Sequence, residues 1–198
     1  MKDDSAAASP RLQVAALLPR SLVNGPGTRA VLWVQGCPFA CPGCCNPDFR
    51  PFAGGTTMTV TEAAGLLLAE PDIEGVTFSG GEPFSQAAAL AELAAQARDV
   101  GKGVVIFTGY AGAELQASPD PGHQALLAQA DLLIAGPYQA SNPANHPLLA
   151  SANQELVFLS GRYGDQARAR HGKRHEYRIR ADGSLVTTGL LPGRRQGE

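Results

Sequence analysis

The sequence predicts an α/β domain whose strands and helices alternate into a partial barrel, open on one side, with a C-terminal β-hairpin. Three observations predict it. Short apolar runs rich in Val, Ile and Phe alternate with Ala- and Leu-rich helical patterns, the mark of parallel β–α units. The chain has 198 residues, fewer than the roughly 250 that a closed eight-unit barrel takes. Near its end, two strand patterns flank Asp182-Gly183, a pair that suits the turn of an antiparallel hairpin.

Each element has its own signal. Residues 1–10 are polar and Ala- and Ser-rich and read as a flexible leader. A first strand is expected over 11–18, closed by Pro19, and a second over 30–34, ending at Gln35-Gly36. Thr59 followed three residues later by Glu62 is a capping-box signal for a helix through Leu66, Leu67 and Leu68 that stops near Pro71. A strand over 75–78 leads into Ser79-Gly80-Gly81-Glu82-Pro83, and 85–100 has helical periodicity. Further strands are expected over 104–107, 132–135 and 155–159, with a helix around 124–130. The hairpin strands fall at 176–179 and 185–188. The core domain therefore spans 11–163, and 164–198 holds a basic loop, the hairpin and a tail.

Composition narrows the function. A net charge of −2 gives no basic field for nucleic acid. No apolar stretch reaches the roughly 18–20 residues that span a bilayer. The first residues carry no apolar core of signal-peptide length, and thiols of the kind discussed next need a reducing compartment. The expectation is a cytoplasmic protein with neither membrane nor nucleic acid as partner.

The chemistry centres on Cys37, Cys41 and Cys44, spaced C-x₃-C-x₂-C, directly after a predicted strand. Thiolates suit iron–sulfur clusters, and three of them on a four-iron cubane leave one iron without a protein ligand. Catalytic metal sites keep such an open position. Zinc held by Cys37, Cys41, Cys44 and Cys45 is the alternative. The side chains of adjacent Cys44 and Cys45 diverge, however, and no second, distant ligand pair exists. The Gly-Gly-Glu-Pro segment taken alone reads as a strand-to-helix turn. The thiol loop, this turn and Thr108-Gly109-Tyr110 all follow predicted strands, so in a barrel they converge on one face.

The segment from Val34 through Cys44 resembles the cluster loop of the radical S-adenosylmethionine (radical SAM) superfamily, and Gly80-Gly81-Glu82-Pro83 resembles its signature for the methionine amino group. Asn24-Gly25-Pro26-Gly27-Thr28-Arg29, Pro42-Gly43-Cys44, Phe107-Thr108-Gly109-Tyr110, Gly136-Pro137-Tyr138 and, loosely, Ser151-Ala152-Asn153-Gln154 resemble the activases of glycyl-radical enzymes. The resemblance is to the activases of anaerobic ribonucleotide reductase above all. Three positions depart from the wider patterns. Gly43 precedes the third cysteine, where many superfamily members carry an aromatic. Cys45 stands where these activases often have His or Tyr, and Ala135 where an acidic residue is expected.

The resemblance implies the six-unit radical SAM barrel and a 4Fe–4S cluster on Cys37, Cys41 and Cys44. It implies S-adenosylmethionine closing the open iron, bordered by Gly43, Cys44, Cys45, Gly80, Gly81, Glu82, Pro83, Thr108 and Gly109. One electron, from a flavodoxin- or ferredoxin-type donor, then yields methionine and a 5′-deoxyadenosyl radical. No side chain is implied as catalytic beyond these. The implied substrate is a glycine of a partner protein, left as a glycyl radical. In this reading Asn24–Arg29 faces the cluster; otherwise it is a Gly/Pro turn. Two other functions stay open: modification of a small metabolite or ribosomal peptide, and electron transfer without S-adenosylmethionine. Trp33 and Tyr110 read as core or interface aromatics, and the basic stretch 168–180 as a solvated loop or a contact for an acidic partner. His123, His146, His171 and His175 show no metal-ligand spacing.

Overall fold

The computed structural model describes residues 9–168, 175–179 and 182–190. Most of the leader, the basic residues Arg170, His171, Lys173, Arg174 and Arg180, and the tail lie outside the described residues. The described strands are β1 (Arg11–Ser21), β2 (Arg29–Val34), β3 (Thr56–Thr59), β4 (Gly75–Gly80), β5 (Gly103–Thr108), β6 (Leu132–Ala135), β7 (Glu155–Phe158), β8 (His175–Ile179) and β9 (Leu185–Gly189). The helices are α1 (Val60–Leu67), α2 (Ala87–Asp99), α3 (Gly112–Gln116), α4 (Pro121–Gln129) and α5 (Gly164–Arg168).

Seven strands form one sheet in the order β3-β1-β2-β4-β5-β6-β7, and β8 and β9 form a separate hairpin. The parallel run is β2-β4-β5-β6. Among the described residues the sheet is open, with β3 and β7 as its edges. The parallel strands number four rather than six. The strand expected as a further parallel unit, β7, pairs antiparallel with β6. A parallel return needs a crossover of a dozen or more residues, usually a helix, and no helix is formed between β6 and β7.

Burial follows the two periods of the sequence. Leu32, Val34, Val76, Phe78, Val104, Ile106, Leu133 and Ala135 alternate toward one face of the sheet and pack in one cluster with buried residues of α1 to α4. On the opposite face a smaller cluster joins Val105, Leu132 and Ile134 to Leu148, Tyr163 and Ala167, so α5 packs with the strands beneath it. Helix starts match their cap chemistry. The Thr59 hydroxyl accepts from the Glu62 amide at 3.1 Å while the Glu62 carboxylate accepts from the Thr59 amide at 2.7 Å. Helix α4 begins at Pro121, earlier than expected, because Asp120 accepts from the Gly122 amide at 2.7 Å. Helix α2 starts later, at Ala87, because Pro83–Gln86 form a 3₁₀ turn capped by Glu82.

Strand β1 is longer than expected and runs through Pro19. A register irregularity between Leu18 and Ser21 lets the proline sit where no ladder amide is required. Strand β3, which carries no local strand signal, completes that edge.

The lower end of the parallel strands is pinned by Arg29, fully buried at the start of β2. Its Nε donates to Thr77 Oγ1 at 2.6 Å, and its Nη1 to the Pro26 carbonyl at 3.1 Å and the Tyr163 hydroxyl at 2.9 Å. Its Nη2 donates to the Val76 and Gly103 carbonyls. All five guanidinium donors are satisfied by neutral acceptors. The hairpin meets this same end, with the Leu22 amide donating to Glu176 and the Asn24 amide group to Thr188.

Candidate functional site

At the upper ends of β2, β4, β5 and β6 four loops interlock. The first leaves β2 through Gln35 and carries the cysteines; Cys37, Cys41 and Cys44 are half-buried and Cys45 is exposed. Its return limb is held to its start. The Gly36 amide donates to the Phe49 carbonyl at 2.9 Å and the Cys37 amide to the Arg50 carbonyl at 2.9 Å. The buried Gln35 side chain donates to the carbonyls of Asp48, at 3.2 Å, and Pro51, at 2.7 Å. A turn brings the Cys44 amide to the Cys41 carbonyl at 3.3 Å. Burial pushes the Cys37 thiol up from its ordinary value.

Among the described residues, no group of three or more His, Cys, Asp or Glu side chains is drawn into a metal cage. The three spaced thiols share one pinned loop, half-buried, and thiols are the donors that suit an iron–sulfur cluster. The donor set fits such a group.

The second loop follows β4 and lies backbone to backbone on the first. The Gly81 amide donates to the Val34 carbonyl and the Glu82 amide to the Gly36 carbonyl, both at 2.8 Å. Gly80 has φ of 108°, a conformation that glycine tolerates without strain. A side chain at Gly81 would run into the carbonyls of Gly36 and Phe49. The pair of glycines is what lets the turn approach the thiol loop.

Glu82 is 1% exposed and ties the second loop to the third. Its Oε1 accepts from the Phe84 amide at 3.0 Å and the Thr108 hydroxyl at 2.9 Å; its Oε2 accepts from the Gly109 amide at 2.8 Å. Burial raises its carboxyl to about 7, against the lowering effect of the hydrogen bonds from Gly109, Phe84 and Thr108. Gly109 is needed for a second close approach: a Cβ there would stand 2.6 Å from the Phe39 ring of the thiol loop. Phe39 also meets Tyr110 edge-on, with ring centroids 4.8 Å apart.

The fourth loop follows β6. The Gly136 amide donates to the Tyr110 carbonyl at 2.8 Å. Gln154 staples the loop by donating to the Gly136 carbonyl at 3.1 Å while accepting from the amides of Ala150 and Ser151. Tyr138 on this loop has its phenol raised by burial first and then by Cys45 and Cys44.

The structure thus brings together Cys37, Gly80, Gly81, Glu82, Pro83, Thr108 and Gly109, with Cys41, Gly43, Cys44 and Cys45 on the same thiol loop. It does not bring Asn24–Arg29 to them. That segment precedes β2, whereas the thiol loop follows it, and Arg29 pairs with Gly75 at the opposite end of the sheet. Arg29 acts there as a buried pin because its five donors find acceptors only at the strand starts. The sequence reading missed the packing of Phe39 on Gly109 and Tyr110. It also missed a glutamine chain in which Gln86 donates to the carbonyls of Gln13, at 3.0 Å, and Gln35, at 2.9 Å. Each is a long-range contact without a local signal.

Comparison with known proteins agrees with this geometry. Residues 23–157 match the family model described as a 4Fe-4S single cluster domain. The chain is 33% identical over 128 residues to the anaerobic ribonucleoside-triphosphate reductase-activating protein of Vibrio cholerae serotype O1, covering 61% of this chain and 80% of that protein. It is 30% identical over 146 residues to the protein of the same name from Enterobacteria phage T4, covering 71% and 90%. A pyruvate formate-lyase-activating enzyme from Clostridium pasteurianum is 39% identical over 92 residues, 44% of this chain and 39% of that enzyme.

Proposed function

This chain belongs to the 4Fe-4S single cluster domain family, among the radical SAM activating enzymes of glycyl-radical enzymes, and from that premise we propose how it works. Cys37, Cys41 and Cys44 would hold a 4Fe–4S cluster through their thiolates, leaving room beside it for S-adenosylmethionine. When bound, the two supply reductive cleavage of the sulfonium carbon–sulfur bond and hydrogen abstraction from a glycine of a partner protein. The chain itself binds, orients and shields.

The backbones of Gly80 and Gly81 would bind the methionine moiety. Glu82 holds that turn in place through Phe84, Thr108 and Gly109, and its carboxylate would accept from the ammonium of the bound cofactor. Pro83 fixes the turn's exit. Gly43, Cys44, Cys45, Thr108 and Gly109 border the rest of the cofactor. The sheet is taken as an open, partial barrel whose second face carries half-buried Trp33, Ser79 and Phe107 toward the thiol loop, and a protein substrate covers that end. A flavodoxin- or ferredoxin-type protein supplies the electron, in a reducing cytoplasm. Among the described residues no helix is long and apolar enough to cross a membrane.

The observation that carries this reading is the backbone-to-backbone seating of the Gly80-Gly81-Glu82 turn on the thiol loop, with the Glu82 amide 2.8 Å from the Gly36 carbonyl. Anaerobic reconstitution tests it. The protein should take up about four irons and release 5′-deoxyadenosine when given S-adenosylmethionine and dithionite. Cys37→Ala, Cys41→Ala and Cys44→Ala should each lose the iron. Stoichiometric zinc without an iron chromophore would overturn the reading.

A further inference from the structure

Phe52 lies on the return limb of the thiol loop and is 65% exposed, the most exposed aromatic ring among the described residues. A lone exposed apolar side chain needs no explanation, but three observations set this one apart. The ring is laid against the thiol loop itself: a Cβ on Gly36 would stand 2.6 Å from Phe52 Cδ1. The flanking backbone is pinned, with the Pro51 carbonyl accepting from Gln35 at 2.7 Å and the Arg50 carbonyl accepting from the Cys37 amide at 2.9 Å. The ring is thus held in one place without being buried. On the same loop Pro38, Ala40, Pro42, Pro47, Pro51 and Ala53 are exposed as well, and between residues 36 and 55 the only charges are Asp48 and Arg50, of opposite sign.

A charge-poor, proline-rich loop carrying a fixed aromatic has the composition of an interface core, where charge is depleted and aromatics carry much of the binding. Proline fixes backbone dihedrals, so little ordering cost remains to be met on association. The patch is continuous with the loop that carries the half-buried thiols, so its occupant comes to rest over them. A second copy seated there would close the site, whereas a protein substrate must sit there.

We propose that Phe52 is the docking anchor for the protein substrate, its ring entering an apolar pocket on the glycyl-radical enzyme while the proline-rich loop excludes water around it. The proposal rests on the activase reading. It is tested with the anaerobic ribonucleoside-triphosphate reductase from the same genome as the probe, by anaerobic binding isotherms with wild type, F52L, F52D and the control L66D on α1, where Leu66 is 51% exposed. F52D should weaken binding at least about 10-fold and F52L less, with L66D unchanged. Iron content and melting temperature report folding of each variant. Because F52D could disturb the thiol loop, a photo-crosslinking aromatic, p-benzoylphenylalanine, is also placed at position 52, where it keeps a ring on Gly36; it should capture the reductase. Wild-type affinity in a folded F52D, or no capture by the crosslinker, overturns the anchor. Self-association lost in F52D with reductase affinity intact overturns it in favour of a second copy. A wild-type protein that binds no reductase overturns the activase reading, and the anchor with it.

Discussion

The two ends of β2, β4 and β5 are built in opposite ways. At the lower end a fully buried guanidinium is saturated by five neutral acceptors, and no carboxylate is among them. Removing a charge from water is expensive, and burial does push the pKa of the Arg29 guanidinium below its ordinary value. Complete satisfaction of its donors offsets that cost and locks three strand starts and Tyr163 together. At the upper end the thiols are half-exposed, and loops touch through glycines and through one buried carboxylate. The lower end is complete without a ligand. The upper end keeps donors and backbone surface available, and the contrast teaches that rigidity at one end lets the other stay open.

The comparison is broken most sharply at Arg29. Arg29→Ala leaves three carbonyls and two hydroxyls without their donor in a sealed site, so it should cost roughly 4 kcal/mol and about 10 °C of melting temperature. Calorimetry that finds no more than a small shift would mean that the lower end is not the pin.

Glu82 gives the next effect, at the upper end. Its folded-state value of about 7 lies above the ordinary value of 4.5, so the native state holds a proton that the unfolded chain has lost between these limits. That stability is fully present below about pH 4.5 and lost as pH rises through about 7, a decline of about 3 kcal/mol at most. Denaturant unfolding at pH 5 and pH 8 should show it in wild type, and Glu82→Gln should flatten the slope. An unchanged slope in that variant would assign the pH dependence elsewhere.

Tyr163→Phe removes the acceptor 2.9 Å from Arg29 Nη1 and strands one buried donor, a loss of about 1–2 kcal/mol. Iron uptake should be untouched, since the site is at the other end; a variant that folds stably and yet fails to bind iron would show that the two ends are coupled. The smallest effect belongs to Cys45. Exposed and outside the spacing, it is not a ligand in our proposal, so Cys45→Ser should retain about four irons with stability changed by less than about 0.5 kcal/mol. Loss of iron there, with Cys44→Ser still loaded, would make Cys45 the third ligand.

Much of this was legible in the sequence because it is written in local patterns. The strand over 132–135 was read at its observed bounds, since a four-residue apolar run between turn signals leaves no other choice. The α1 cap was legible because Thr59 and Glu62 satisfy each other within one turn. Strand β3 was not, because the Thr-rich segment at 56–59 extends only through its pairing with β1. The direction of β7 was not, because the same residues suit either orientation until the absence of a crossover helix decides it.

By itself the sequence determined the alternation of elements, the grouping of three thiols on one loop after a strand, and the turn that would face them. These rest on spacing and on the conformational range of single residues, which are properties of neighbours in the chain. Only the tertiary structure decided which end Arg29 occupies, that Glu82 joins the loops after β4 and β5, and that Phe52 stands exposed against Gly36. Those facts rest on contacts between residues far apart in the chain: 26 positions separate Glu82 from Thr108, and 134 separate Arg29 from Tyr163. No local preference encodes such distances. They are set when the sheet assembles, because only then does a buried donor find the acceptor that makes its burial tolerable.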